Sequence, residues 1–144
     1  MDLQECLQFA KDNPVCFIAT MDGDQPRVRT FVLEKADETG FYFTLVTTKK
    51  MYSQVCANPK AEICFFHADP DHSKTRQMRV TGMLEQVHEP DLLEKAYAKR
   101  QWIDQQIGKS VKPLLAIFRL NTGNALFWTF ADAGKEGQIE VIHF

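Results

Sequence analysis

The chain has 144 residues, of which 44% are hydrophobic and 11% aromatic, and its formal net charge at pH 7 is −2. This apolar share can close a core, which excludes an intrinsically disordered chain. The near-neutral charge disfavours a nucleic-acid-binding protein, because such proteins carry a strongly basic field. We therefore expect one folded domain over residues 1–144 and no nucleic-acid partner.

No segment has the features of a membrane span or of a secretion signal. A span needs a run of about 18 apolar residues without charge, and no such run occurs. The N-terminal segment MDLQECLQFAKDN is amphipathic and acidic, unlike a signal peptide. We expect a cytoplasmic protein without membrane contact, in which the cysteines stay reduced.

The first half of the chain alternates short strands with two helical segments. A helix is predicted over 2–12, where Asp2 is placed as the cap and Glu5 stands in the capping-box position. Strands are predicted over 15–20, 27–34, 41–46 and 61–66, and a second helix over 48–58. The turn at 21–26 joins the first two strands into a hairpin.

The second half is also rich in strands. A long strand is predicted over 76–88, with Gly82 marking a bulge or a close backbone approach. One long helix follows from Pro90 to a stop at Gly108. A hairpin over 114–120 and 125–130 and a last short strand over 138–144 complete the chain. This order predicts a mainly β fold, a small antiparallel barrel with helices at its edges.

Two arginines share one face of the strand at 27–34. Arg27 and Arg29 alternate with Val28 and Thr30, so strand periodicity places both guanidinium groups on the same side. Two such fork-shaped donors suit a phosphate or a carboxylate. An ordinary solvated strand face explains an isolated Arg-x-Arg as well.

Hydroxyl and ammonium groups cluster where a strand passes into a helix. Thr47, Thr48, Lys49 and Lys50 follow the strand FYFTLV and open the second helix. With the free N–H groups of a helix N-terminus they compose an anion site. A helix cap followed by a solvated basic turn accounts for the same residues.

A third polar face belongs to the long strand at 76–88. Gln77, Arg79 and Thr81 alternate on one side, and a glutamine there can address the donors and acceptors of a flat heterocycle. With the two basic signals, this face favours a ligand with a phosphate at one end and a polar ring at the other. Flavin mononucleotide (FMN) meets that description. Pyridoxal phosphate does too, but most lysines lie in polar turns or on helix faces rather than in an apolar pocket.

Metal binding and hydrolysis receive little support. The segment His67-Ala-Asp-Pro-Asp-His72 holds possible metal ligands, yet its spacing matches no zinc or calcium motif and Asp-Pro-Asp is typical of a turn. We therefore expect a solvated loop and no metal. No serine lies in a Gly-x-Ser-x-Gly elbow, which disfavours a hydrolase of that class.

Several of these motifs, in their order and spacing, resemble the pyridoxamine 5'-phosphate oxidase family. They are R-V-R-T-F-V (27–32), F-Y-F-T (41–44), T-T-K (47–49), N-P (58–59) and R-Q-x-x-V-x-G (76–82). The resemblance implies the FMN-binding split β-barrel, with six to seven antiparallel strands. It also implies a homodimer that holds FMN at its subunit interface.

The resemblance further implies which residues contact the flavin. Residues 27–30 would lie along the isoalloxazine and reach the phosphate, residues 43–44 would add backbone and side-chain contacts, and residues 48–50 would hold the phosphate. Gln77 would address the ring from the partner strand. Trp128 would lie close to the ring, although a core tryptophan would look the same in the sequence. The implied cofactor-binding residues are Arg27, Val28, Arg29, Thr30, Phe43, Thr44, Thr48, Lys49, Lys50, Gln77 and Trp128.

The chain also departs from the true oxidases. Those enzymes end with an Arg-x-His element and further arginines that hold the substrate phosphate, whereas no arginine follows Arg119 here. Thr48 replaces an arginine of their phosphate-binding pair, so the clamp would lean on Arg27, Arg29 and Lys50. The resemblance therefore implies an FMN-dependent oxidoreductase that uses NAD(P)H or a small-molecule substrate other than pyridoxamine phosphate.

Two other functions stay open at this level. A flavin-binding or sensing module without turnover would carry the same residues. A split barrel could also hold haem or a deazaflavin in place of FMN, and His67 is the one feature that favours haem. The sequence assigns no catalytic side chain.

Overall fold

The computed structural model describes residues 1–144 and contains two antiparallel sheets. The strands are β1 (Val15–Asp22), β2 (Gln25–Val32), β3 (Lys35–Asp37), β4 (Gly40–Val46), β5 (Lys60–His67), β6 (Arg76–Met83), β7 (Glu85–Val87), β8 (Leu115–Leu120), β9 (Gly123–Thr129) and β10 (Ile142–His143). The helices are α1 (Leu3–Asp12), α2 (Lys50–Ala57), α3 (Pro90–Ala98) and α4 (Trp102–Ile107). The mainly β, antiparallel prediction with edge helices is confirmed.

The larger sheet has six strands in the order β10-β9-β6-β5-β1-β2, so β2 is an edge strand. The smaller sheet has the order β3-β4-β8-β7. Side chains from both sheets meet in one core, in which Phe41, Phe43 and Phe65 are fully buried. Along β1, buried and exposed residues alternate, as expected for a strand with one face on a core.

The segment predicted as one long strand changes sheets partway. It breaks at Leu84, so β6 belongs to the larger sheet and β7 to the smaller one. The close backbone approach predicted at Gly82 is confirmed, because a Cβ there would lie 2.6 Å from the carbonyl oxygen of Thr122. The crossing therefore requires a residue without a side chain.

The structure has ten strands, whereas the resemblance implies six to seven, and short strands account for the difference. The segment between the predicted strands at 27–34 and 41–46 contains β3, and only two residues of the predicted strand at 138–144 pair, as β10. The long helix predicted from Pro90 to Gly108 is interrupted by a turn, which divides it into α3 and α4. Gly108 ends α4 in the left-handed conformation, as its position predicts.

Helix α1 begins where the sequence places its cap. The Asp2 carboxylate accepts a hydrogen bond from the Glu5 backbone N–H at 2.9 Å. Glu5 does not close a capping box, because its carboxylate accepts a hydrogen bond from Arg76 Nη2 at 3.3 Å. The guanidinium of Arg76 also lies over the rings of Phe9 and Phe127, which fixes α1 to the larger sheet. None of the helices combines the length and the apolar character needed to cross a membrane.

Candidate functional site

A basic cleft of about 410 Å³ opens between the edge strand β2 and the start of α2. Its cationic side chains are Arg27 and Arg29 from β2 and Lys49 and Lys50 from the helix N-terminus. The residues that complete its lining are Asp22, Thr30, Phe31, Met51 and Gln54. A cleft with four cations and one carboxylate is suited to an anion.

Arg29 is held in place on three sides. Its Nη1 donates to Thr20 Oγ1 at 2.5 Å and to the Arg27 carbonyl oxygen at 3.4 Å, and its Nη2 donates to Gln54 Oε1. Burial, with the neighbouring charge of Arg27, lowers the pKa of Arg29 from its usual value. Because an arginine pKa starts so high, the side chain stays charged and is pre-positioned for an anion.

Arg27 is paired with the single carboxylate of the cleft. Its Nε and Nη2 both donate to Asp22 Oδ2 at 3.3 Å. Both side chains are about half exposed, with relative exposures of 51% and 44%. In this exposed setting the ion pair is weak, so Arg27 can exchange Asp22 for a ligand phosphate.

The two lysines and the helix end supply free donors. Lys49 is the N-cap of α2 and makes no side-chain cap, so no side chain accepts from the N–H groups at the start of the helix. The Tyr52 N–H donates to the Lys49 carbonyl oxygen at 3.1 Å. Lys49 and Lys50 join none of the chain's salt bridges. The positive end of the helix dipole adds to their charge at the mouth of the cleft.

A second, more apolar cleft of about 290 Å³ adjoins the first. The two share Thr30, Phe31, Lys49 and Met51. The residues found only in the second cleft are Val32, Thr44, Leu45, Val46, Arg100, Trp102 and Ile103. The pair of clefts thus joins a cationic end to an apolar and aromatic end.

A buried carboxylate fixes the wall of the second cleft. Glu34, whose side chain is 1% exposed, contacts Arg100 at 2.7 Å and Lys99 at 2.9 Å and accepts a hydrogen bond from Thr44 Oγ1 at 2.6 Å. Burial raises the pKa of Glu34, but the hydrogen bonds from Lys99 and Thr44 and the charge of Arg100 outweigh burial and leave the pKa below its usual value. The cluster holds the α3–α4 turn beside the second cleft, which the largely exposed Trp102 also lines.

Five of the implied cofactor-binding residues line the basic cleft: Arg27, Arg29, Thr30, Lys49 and Lys50. Thr44 lines the second cleft, with its hydroxyl already donated to Glu34. Three other implied cofactor-binding residues line neither cleft. Val28 is exposed on the opposite face of β2, Phe43 is fully buried in the core, and Thr48 is exposed in the turn before α2.

Gln77 and Trp128 lie apart from both clefts within one chain. They face one another on β6 and β9, on the side of the larger sheet that points away from the core, here called the outer face. Three strand spacings separate β6 from β2, roughly 14 Å. Trp128 Nε1 is buried without a hydrogen-bond partner.

Sequence reasoning missed several lining residues. Gln54 follows Lys50 by one helical turn, so helical spacing could have placed it on the same side of α2. No local sequence pattern predicts the contact of Gln54 with Arg29, which lies 25 positions earlier in the chain. Trp102 and Arg100 reach the second cleft only because the long predicted helix is broken at Lys99–Gln101.

The loop that begins at His67 is polar, as predicted. His67 Nδ1 lies 3.2 Å from Asn13 Oδ1, and Nε2 lies 3.5 Å from Asp69 Oδ2. No group of three or more histidine, cysteine, aspartate or glutamate side chains in the chain is arranged to hold a metal ion. His67 lines neither cleft.

The chain is similar in sequence to one family of known proteins. The pyridoxamine 5'-phosphate oxidase family profile matches residues 3–129. A pyridoxine/pyridoxamine 5'-phosphate oxidase from Brucella canis is 34% identical over 107 residues, which are 72% of this chain and 50% of the relative. The chain therefore spans about half the length of the curated relatives it matches.

Solved structures share the fold. A NimC/NimA family protein from Clostridium acetobutylicum superposes with a TM-score of 0.73 and 26% identity, covering 99% of this chain and 92% of that one. A haem-binding protein from Mycobacterium smegmatis superposes with a TM-score of 0.67 and 13% identity, covering 95% and 55%. The latter likeness concerns the fold alone. With the family profile matched along most of its length and the predicted split barrel present, the chain belongs to the pyridoxamine 5'-phosphate oxidase family.

Proposed function

We propose that the chain is an FMN-dependent oxidoreductase that works as a homodimer, with the flavin at the subunit interface and NAD(P)H or another small molecule as its substrate. The observation that carries the proposal is the joined pair of clefts, cationic at one end and aromatic at the other. The volumes of about 410 and 290 Å³ fit a ligand of nucleotide size, since such sites commonly enclose roughly 300–1,000 Å³.

The cationic end fits a phosphate. Arg29 is pre-positioned by Thr20 and Gln54, while Lys49 and Lys50 are free of other ion pairs. Charge-assisted hydrogen bonds from these groups would hold the phosphate, and the start of α2 would add backbone donors. With Thr48 turned to solvent, the arginines of β2 and the two lysines would carry the clamp.

The second cleft fits the ring end of the same ligand. Thr30 belongs to both clefts, so one ligand could extend along β2 from phosphate to ring. The Thr44 hydroxyl is donated to Glu34, so this residue would contribute shape and backbone contacts. Trp102 and Ile103 from α4 would cover the apolar side of the ring and exclude water.

The outer face supports the dimer. Its exposed apolar side chains are Val15, Phe17, Val28, Val32 and Phe66. An apolar surface of this kind on a soluble domain is typical of a protein interface. Pairing through it would bring the partner's copies of Gln77 and Trp128 toward the clefts beside β2.

A bound flavin supplies hydride transfer, and the protein supplies binding, orientation and electrostatics. In this chain the cations of the basic cleft anchor the phosphate, and the α4 wall positions a substrate against the ring. We assign no catalytic side chain. The family relationship supports a flavin enzyme, and the substrate proposed here is a small molecule.

No observation favours haem over a flavin. Both ring nitrogens of His67 already have partners, Asn13 and Asp69, and the residue lies outside both clefts. We therefore expect His67→Ala to leave the spectrum of any bound ligand unchanged.

The test is the visible spectrum of the purified protein and its titration with FMN. We expect a flavin spectrum, or saturable binding of added FMN, that bleaches anaerobically with NADH or NADPH and recovers with an oxidising substrate. Flavin that binds but is reduced only by dithionite would indicate a sensing module without turnover. A protein that stays colourless and binds no added FMN would contradict the proposal.

A further inference from the structure

Asp22 occupies a boundary position at the end of the basic cleft. It is the only carboxylate that lines the cleft, and it accepts both hydrogen bonds from Arg27. It also lines a neighbouring groove of about 430 Å³. The basic cleft and this groove share only Asp22 and Gln54, so the groove continues the cleft past the carboxylate.

The two spaces differ in charge. The basic cleft contains four cationic side chains. The neighbouring groove contains none, and its lining is completed by Met21, Gly23, Ser53, Ala57 and Asn58. A phosphate in the cleft is therefore surrounded by positive charge, whereas a phosphate in the groove would have Asp22 beside it and no cation of its own.

This difference in charge favours ligands with one phosphate over ligands with two. A terminal phosphate can stay among Arg29, Lys49 and Lys50. A diphosphate that continues to a nucleoside must extend beyond these cations. With the ring end of the ligand in the second cleft, the space that continues the basic cleft is the groove past Asp22. The repulsion between that carboxylate and the second phosphate then disfavours the longer ligand, which is discrimination by an unfavourable contact.

We propose that Asp22 is a specificity-determining residue that restricts the site to flavins with a single terminal phosphate. It does so because Arg27 turns from Asp22 to the ligand phosphate, which leaves the carboxylate without its partner at the point where a second phosphate would pass. The inference rests on the proposed function, since it concerns the ligand of that same site.

The experiment measures the dissociation constants of riboflavin, FMN and FAD by isothermal titration calorimetry. It compares the wild type with Asp22→Asn, which removes the charge and keeps the shape. The control is Asp24→Asn, an equal change of net charge in the same hairpin turn at an exposed residue that lines neither space. Thermal unfolding of each variant establishes that the fold is kept.

We expect the wild type to bind FMN more tightly than FAD. In Asp22→Asn the ratio of the FAD to the FMN dissociation constant should fall roughly three- to tenfold, the effect of one partly screened charge. Riboflavin binding should be unchanged, and Asp24→Asn should keep the wild-type ratio, because exposed charges farther away are screened by salt.

The outcomes separate the two proposals. A wild type that binds none of the three flavins overturns the proposed function and this inference with it. A wild type that binds FMN while Asp22→Asn keeps the wild-type FAD-to-FMN ratio overturns the inference alone. An equal shift in Asp24→Asn would also overturn it, by showing that net charge rather than position is responsible.

Discussion

Arg29 on the edge strand donates a hydrogen bond to Gln54 on α2, 25 positions later in the chain. This contact joins the two elements that form the basic cleft. With the hydrogen bond to Thr20, it orients the guanidinium before any ligand arrives. Such pre-organisation lowers the entropic cost of binding, so the uncharged Gln54 side chain matters to a site whose ligand it does not need to touch.

The first prediction concerns the substitution Gln54→Glu, which gives Arg29 a charged partner in place of a neutral one. In Gln54→Glu the new carboxylate pairs with Arg29 and competes with a ligand phosphate, so FMN affinity should fall about tenfold or more, the loss of one charge-assisted hydrogen bond. Fluorescence titration of FMN measures the change.

The matched control is Gln105→Glu, an equal charge change at an exposed residue of α4 that lines neither the basic nor the apolar cleft. It should bind FMN as the wild type does. Equal affinities in Gln54→Glu and the wild type would mean that Arg29 does not contact the phosphate.

Local patterns predicted the parts of the fold that depend on neighbouring residues. The Asp2 cap and the β1–β2 hairpin each have a local physical cause, and the structure contains both. The close approach at Gly82 is to Leu120 and Thr122, which are distant in the sequence, but a glycine inside a strand signals it locally. They were predictable because turn, cap and strand preferences act over a few residues.

The remaining parts of the fold and of the site depend on contacts between distant segments, which the sequence did not predict. The break in the long predicted helix coincides with the pairing of Lys99 and Arg100 with Glu34, 65 positions away in the case of Lys99. The periodicity of 90–108 contains no sign of it. The sequence likewise indicated the cations of the cleft, but it could not show that Gln54 and Asp22 would surround them, because those contacts depend on how α2 packs against the β1–β2 hairpin.

The second prediction concerns Glu34 and pH. Its pKa is lowered in the folded state, so the ionised group stabilises the protein above its unfolded pKa of about 4.5, and this contribution is lost as pH falls through the lower folded value. In Glu34→Gln, Arg100 and Lys99 lose their charged partner. The free energy of unfolding at pH 7 should fall by roughly 1–3 kcal/mol.

Urea unfolding at pH 7 and in steps from pH 5 to pH 3 measures both effects. The gap between wild type and Glu34→Gln should narrow as the medium becomes more acidic. Glu94→Gln, which breaks an exposed pair with Lys112, should cost less than about 1 kcal/mol. A gap that stays constant across the acid range would show that Glu34 is not the titrating group.

The third prediction addresses the crossing of the two sheets. A Cβ at Gly82 would lie 2.6 Å from the Thr122 carbonyl oxygen and 3.0 Å from the Leu120 side chain, so Gly82→Ala must push the backbone apart. We expect a loss of about 1–3 kcal/mol in the free energy of unfolding, as for other overpacked sites. Gly137→Ala is the control, because a Cβ there meets nothing within 4 Å. Equal urea midpoints for the two variants would contradict the close packing at this crossing.

The fourth prediction tests the dimer through the outer face. Val28 is 69% exposed on β2, opposite in direction to the arginines of the cleft, so Val28→Glu places a charge on the proposed interface and leaves the basic cleft intact. We expect the wild type to elute as a dimer and Val28→Glu as a monomer in size-exclusion chromatography with light scattering. FMN affinity should fall in parallel, because in the proposed dimer Gln77 and Trp128 reach the clefts from the partner. Ile107→Glu, at an exposed apolar residue of α4, should remain dimeric. A monomeric wild type that binds FMN tightly would show that one chain completes the site alone.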